Sequence, residues 1–91
     1  MTSWPTLIEQ GVTYDIPNLL STLQHHAHRK TICAWLLTTI DAHLNGLGIG
    51  IPLPNGLLDA KWTLDHVVQL ITIATMPQLK EIRVYVDRLM T

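Results

Sequence analysis

Apolar side chains recur along this chain at intervals of three and four residues, and a run of glycines and prolines cuts that rhythm in two. The break is 45–56, where Gly46, Gly48, Gly50, Pro52, Pro54 and Gly56 are too dense for a helix to continue. Before it, Ile16, Leu19, Leu20, Leu23 and Ala27 form one inward stripe. Cys33, Leu36, Leu37, Ile40 and Leu44 form a second, and His28, Arg29 and Lys30 interrupt the two. Asp15 stands where an N-cap is needed, Pro17 falls in the first turn where its missing N–H is harmless, and Gly46 offers a stop. The spacing predicts helix over 16–45, as two helices or one kinked helix.

After the break, Asp59 or Thr63 is placed to cap a helix whose inward face is Leu64, Val67, Val68, Ile71 and Ala74. Thr75-Met-Pro-Gln78 has the form of a capping box with proline near the first turn, so a last helix is expected there, with Leu79, Ile82, Val86 and Leu89 inward. A strand template competes. Residues 82–87 alternate apolar and polar and are rich in strand formers, and Leu47, Ile49, Ile51 and Leu53 alternate as well. The alternative is therefore α+β, with a small hairpin from 47–53 and 81–87. The cap at Thr75 and the glycines and prolines in the first of those segments favour the all-α reading. The expected architecture is one domain over 1–91, a compact bundle of three to four helices. It comprises an N-terminal arm (1–14), a helical half (15–45), a connector (46–56) and a second helical half (57–91).

Composition changes the picture in one respect. Of 91 residues, 47% are apolar and 14% charged, and a chain this short has much surface for its volume, burying only about 60–65% of what its unfolded form exposes. Some of the apolar surplus is expected to rest against a second copy or a partner. Six basic residues against seven acidic ones leave little charge repulsion to keep copies apart, and little electrostatic attraction for nucleic acid or an anionic membrane. The uncharged segments 31–40, 42–58 and 66–79 fall short of the roughly 18–20 unbroken apolar residues a membrane span requires. Cys33 is the single cysteine, so no internal disulfide forms, which points to a reducing compartment, a cytoplasm or the interior of an infected host cell. Residues 1–15 carry Trp4, Pro5, Glu9, Gly11 and Asp15 where a signal peptide needs a basic flank and an apolar run.

Little in the chain points to chemistry. Two of the five histidines, His25 and His28, share a face if their segment is helical, which is a geometry for two metal ligands. Cys33 lies five positions further on, and no third ligand stands at helical spacing. Asp41 with His43 and Asp65 with His66 are too close in sequence to orient one another on a helix. The serines are Ser3, in the arm, and Ser21, inside a helix, so no activated hydroxyl is expected. Cys33, between Ile32 and Ala34-Trp35, reads as a buried, inert thiol. Gly46, Gly48 and Gly50 match neither the dinucleotide nor the P-loop pattern. No cofactor is expected.

These features favour a small non-catalytic protein–protein interaction module, homodimeric and of the accessory, adaptor or regulatory kind often encoded by phages and viruses. Trp35, Leu36, Ile40, Trp62, Tyr85 and Arg88 are its expected dimer or partner interface. One alternative is a DNA-binding regulator whose last two helices resemble a helix-turn-helix pair, with Lys61, Lys80, Arg83 and Arg88 as its contacts. The other is a metal-responsive protein centred on His25 and His28.

Overall fold

A hairpin opens the fold. The computed structural model describes residues 4–47 and 52–90, and within it β1 (Thr6–Glu9) pairs antiparallel with β2 (Val12–Asp15), Leu7 opposite Tyr14 and Glu9 opposite Val12. The two-residue loop has φ of 53° at Gln10 and 79° at Gly11. Positive φ at both loop positions is the backbone of a type I′ turn, whose twist suits the flanking strands. Residues 6–14 of the expected N-terminal arm are thus part of a β-hairpin, built from Thr, Ile, Val and Tyr on either side of a glycine turn.

Helix α1 (Ile16–Ser21) follows directly, with Oδ1 of Asp15 accepting from the backbone N–H of Asn18 at 2.9 Å and Pro17 in the first turn. The chain then turns through 22–28 and resumes as α2 (Arg29–Leu44). The helical half is therefore two helices, and Ala27, expected inward, is exposed in the turn between them. Gly46, at φ 74°, closes α2: its N–H reaches the His43 carbonyl and that of Leu47 reaches Ala42, the paired bonds of a Schellman stop.

A single 3₁₀ turn (Leu58–Ala60) leads into α3 (Lys61–Ile73), which has no side-chain cap. Neither Asp59 nor Thr63 caps it, because Asp59 lies within the 3₁₀ turn and its carboxylate is engaged by His26, while Thr63 already lies inside the helix. Helix α4 (Met76–Met90) begins with the expected capping box. The Thr75 N–H donates to Oε1 of Gln78 at 2.9 Å and the Gln78 N–H to Oγ1 of Thr75 at 3.4 Å.

The described residues are mostly helical, four helices beside one two-stranded hairpin. The hairpin is not the alternative one, since 81–87 lies inside α4; of its proposed partner, residues 48–51 are outside the described residues. Helix α2 packs along α4, α1 packs on α3, and the hairpin lies against α1 and α3. Ile16, Leu20, Ile32, Leu36, Ile40, Leu64, Leu70, Ile71, Leu79 and Ile82 are fully buried between them. The Cα radius of gyration is 12.3 Å, close to the roughly 12 Å of a single close-packed domain of this length.

Candidate functional site

The outer face of α4 carries a continuous stripe. Glu81, Val84, Tyr85 and Arg88 stand at i, i+3, i+4 and i+7, one surface of a helix. Opposite them Ile82 and Val86 point into the core, so the stripe cannot turn inward without unpacking α4 from α2. Trp4 folds over it and meets the Tyr85 ring edge-on, with centroids 5.6 Å apart. Together with Lys80 these side chains line an open groove of about 330 Å³. Val84 is 50% exposed on its floor. An aromatic pair and an aliphatic side chain, flanked by charges of both signs, have the makeup of an interface anchor.

A second cluster joins the hairpin to α3. His66 is buried, its Nδ1 lies 2.8 Å from the Trp62 carbonyl oxygen one turn back, and its Nε2 meets the Glu9 carboxylate of β1. The Trp62 ring lies over the imidazole at 4.1 Å, and Tyr14 of β2 turns its edge to both. The hydrogen bond to Glu9 raises the His66 pKa above its ordinary value. Burial opposes the rise, and the Trp62 carbonyl and the charges of Glu9 and Asp65 add to it.

A third contact ties the turn after α1 to the 3₁₀ turn. His26 Nε2 lies 2.9 Å from Oδ2 of Asp59, and the His28 N–H donates to His26 Nδ1 at 3.0 Å. Since Nδ1 accepts, Nε2 is the nitrogen that donates to the carboxylate. The bond from His26 is the main reason the Asp59 carboxyl is held below the usual range.

Several expected site residues are placed elsewhere. Leu36 and Ile40 are fully buried and Trp35 nearly so, packed within the molecule's own core. They build the fold instead of facing a partner, because apolar stripes that fill a core and stripes that fill an interface are written in the same residues. Trp62 is half exposed, but on the hairpin side. Tyr85 and Arg88 do meet, in the α4 groove.

The four cations expected to contact DNA all lie on the surface, but Lys61 pairs with Asp65 at 3.0 Å and Arg83 with Asp41 at 2.8 Å, so two of them already face carboxylates. Asp65 and Asp41 thus form their ion pairs with Lys61 and Arg83, not with His66 and His43, the histidines one and two positions away in sequence. His25 and His28 occupy the turn between α1 and α2, not a helix face, so the i, i+3 geometry that motivated a metal pair does not form. Among the described residues no group of three or more histidine, cysteine or acidic side chains could hold a metal ion. Cys33 is buried, and burial raises its thiol pKa, opposed by the charge of Arg29. The described helices include none long and apolar enough to cross a membrane.

Among the functional candidates that sequence reasoning missed are Trp4, Glu81 and Val84 of the groove and Glu9 and His66 of the hairpin cluster. Glu9 lies 57 positions from His66, a pairing with no local signature. Trp4 sits in what reads as a tail. No protein-family profile, no curated protein and no solved structure matches this chain.

Proposed function

We propose that this protein is a small non-catalytic interaction module that works as a homodimer, joined through the outer face of α4. The observation that carries this reading is the order of residues in the stripe: acid, aliphatic, aromatic, base at Glu81, Val84, Tyr85 and Arg88. A two-fold contact requires a surface complementary to itself, so that residue i meets j and j meets i. An axis passing between Val84 and Tyr85 sets two α4 helices antiparallel, with Glu81 of each copy opposite Arg88 of the other and Val84 of each opposite Tyr85. Charges of opposite sign then meet across the rim, and the apolar pair is covered at the centre.

Trp4, folded onto Tyr85, widens the apolar area that such a contact buries. Near-neutral overall charge, −1 over the chain, removes the repulsion that keeps many small domains apart. An accessory or regulatory role belongs to the same reading, in which the protein works through a covered face.

Charge reversal tests it. Glu81→Arg and Arg88→Glu each place like charges opposite one another, and each is expected to weaken self-association about tenfold or more. The double variant restores opposite signs with the direction exchanged and is expected to recover the dimer. Sedimentation equilibrium reads all three. Single variants that associate like the unaltered protein, or a double variant that fails to recover, would refute the α4 contact.

A further inference from the structure

We propose that the hairpin is held on α3 by a proton: His66 is an imidazolium in the docked form, and losing that proton loosens the hairpin from the helix. This is independent of the α4 surface and rests on the surroundings of one ring. Both of its nitrogens face oxygens that only accept, the Trp62 carbonyl at Nδ1 and the Glu9 carboxylate at Nε2. A neutral imidazole carries one N–H and one lone pair, so it serves one of these oxygens and turns its lone pair on the other. An imidazolium donates to both.

The rest of the cluster favours the same state. Trp62 lies 4.1 Å from the imidazole, within the range in which a cation is attracted to an indole face. Glu9 is the ionisable group that β1 presents to the ring, and β2 presents the edge of Tyr14. On α3 itself Asp65 is close enough to act through its charge, and it is shared with Lys61 at 3.0 Å. Helix α1, packed on α3, has no charged side chain, and Asp59 of the preceding 3₁₀ turn is taken up by His26. Among the described residues of these elements the one other basic side chain is that of Lys61, which has its own carboxylate.

When the proton leaves, the bond to Trp62 is local to the helix and is the easier to keep. The Nε2 lone pair then faces the Glu9 carboxylate, so the interaction lost is the one that reaches the hairpin. Leu7 and Tyr14, half-buried on the inner side of the hairpin, are what the loosening uncovers.

The direction is fixed by linkage. A base whose pKa is raised in the docked form stabilises docking fully below its free value near 6.5, and the stabilisation is lost as pH rises through the higher docked value. Hydrogen exchange of the hairpin amides in the full chain, corrected for intrinsic base catalysis, measures docking. Nitrogen chemical shifts of the His66 ring measure protonation.

Below pH 6.5 both ring nitrogens are expected to carry protons, and above it hairpin opening is expected to rise by up to about tenfold per pH unit until the ring has titrated. Glu9→Gln offers a carboxamide that accepts from the imidazolium or donates to the neutral ring, so it is expected to keep the hairpin docked and to flatten the pH profile. A His66 midpoint at or below 6.5 would overturn the proposal. So would hairpin protection that stays constant through the His66 titration, or a Glu9→Gln profile as steep as that of the unaltered chain.

Discussion

The indole Nε1–H of Trp35 donates to the carbonyl oxygen of Pro52 at 3.0 Å. One bond thus fastens the glycine and proline connector to the middle of α2. It also explains how a large, amphipathic side chain is buried in a core of leucine and isoleucine: the apolar body fills space and the single polar atom has an acceptor. Trp35→Phe removes the donor and part of the volume while leaving an aromatic ring. The expected loss is about 1–3 kcal/mol of unfolding free energy, read as a lower urea midpoint with an unchanged slope.

Neighbouring positions on α4 separate core from surface. Ile82 is fully buried and Val84 is half exposed, two residues further along the same helix. Ile82→Ala is expected to destabilise the fold by about 2–5 kcal/mol, because a cavity opens between α2 and α4. Val84→Ala is expected to change it by no more than about 0.5 kcal/mol. Denaturation curves of the two variants at one protein concentration, low enough that the chain is monomeric, check the contrast.

Much of the helical frame was legible, and the reason is physical. Asp15, the Thr75–Gln78 box and Gly46 act on backbone groups within a few residues of themselves, so their signals are local and each forms the predicted bond. The inward stripe of α4 was legible for the same reason, its period being set by the helix itself. The hairpin was hidden because each strand is only four residues long and its turn is Gln10-Gly11, not the Asn-Gly or Asp-Gly that announces a type I′ turn. The pairs that fasten the elements together, Glu9 to His66 and Asp41 to Arg83, are 57 and 42 positions apart, and no periodicity reports on them. Tyr85 and Arg88 were read as surface anchors and lie together in the groove, whereas Trp35, Leu36 and Ile40 went to the core.

Acid sensitivity is expected at Asp59. Its carboxyl is held below the usual range by the bond from His26, so the folded protein binds that proton less readily than the unfolded chain does. The contribution is therefore present above the unfolded value near 4 and is lost as pH falls through the lower folded value. Asp59→Asn removes the charge at every pH. The stability difference between the unaltered protein and this variant is expected to hold as pH is lowered from 6 to the unfolded value near 4 and to shrink below it, as measured by thermal melts in matched buffers. A difference that stays constant below that value would contradict the assignment.

Association through α4 is tested most directly by the mass in solution. Size-exclusion chromatography with light scattering, run over a wide range of protein concentration, is expected to show the unaltered chain approaching twice its 10.3 kDa as concentration rises. Val84→Glu, which sets a charge at the centre of the stripe without touching the core, is expected to remain at the monomer mass with an unchanged helical spectrum. An unaltered protein that stays at 10.3 kDa throughout, or a Val84→Glu variant that dimerises as readily, would contradict the account.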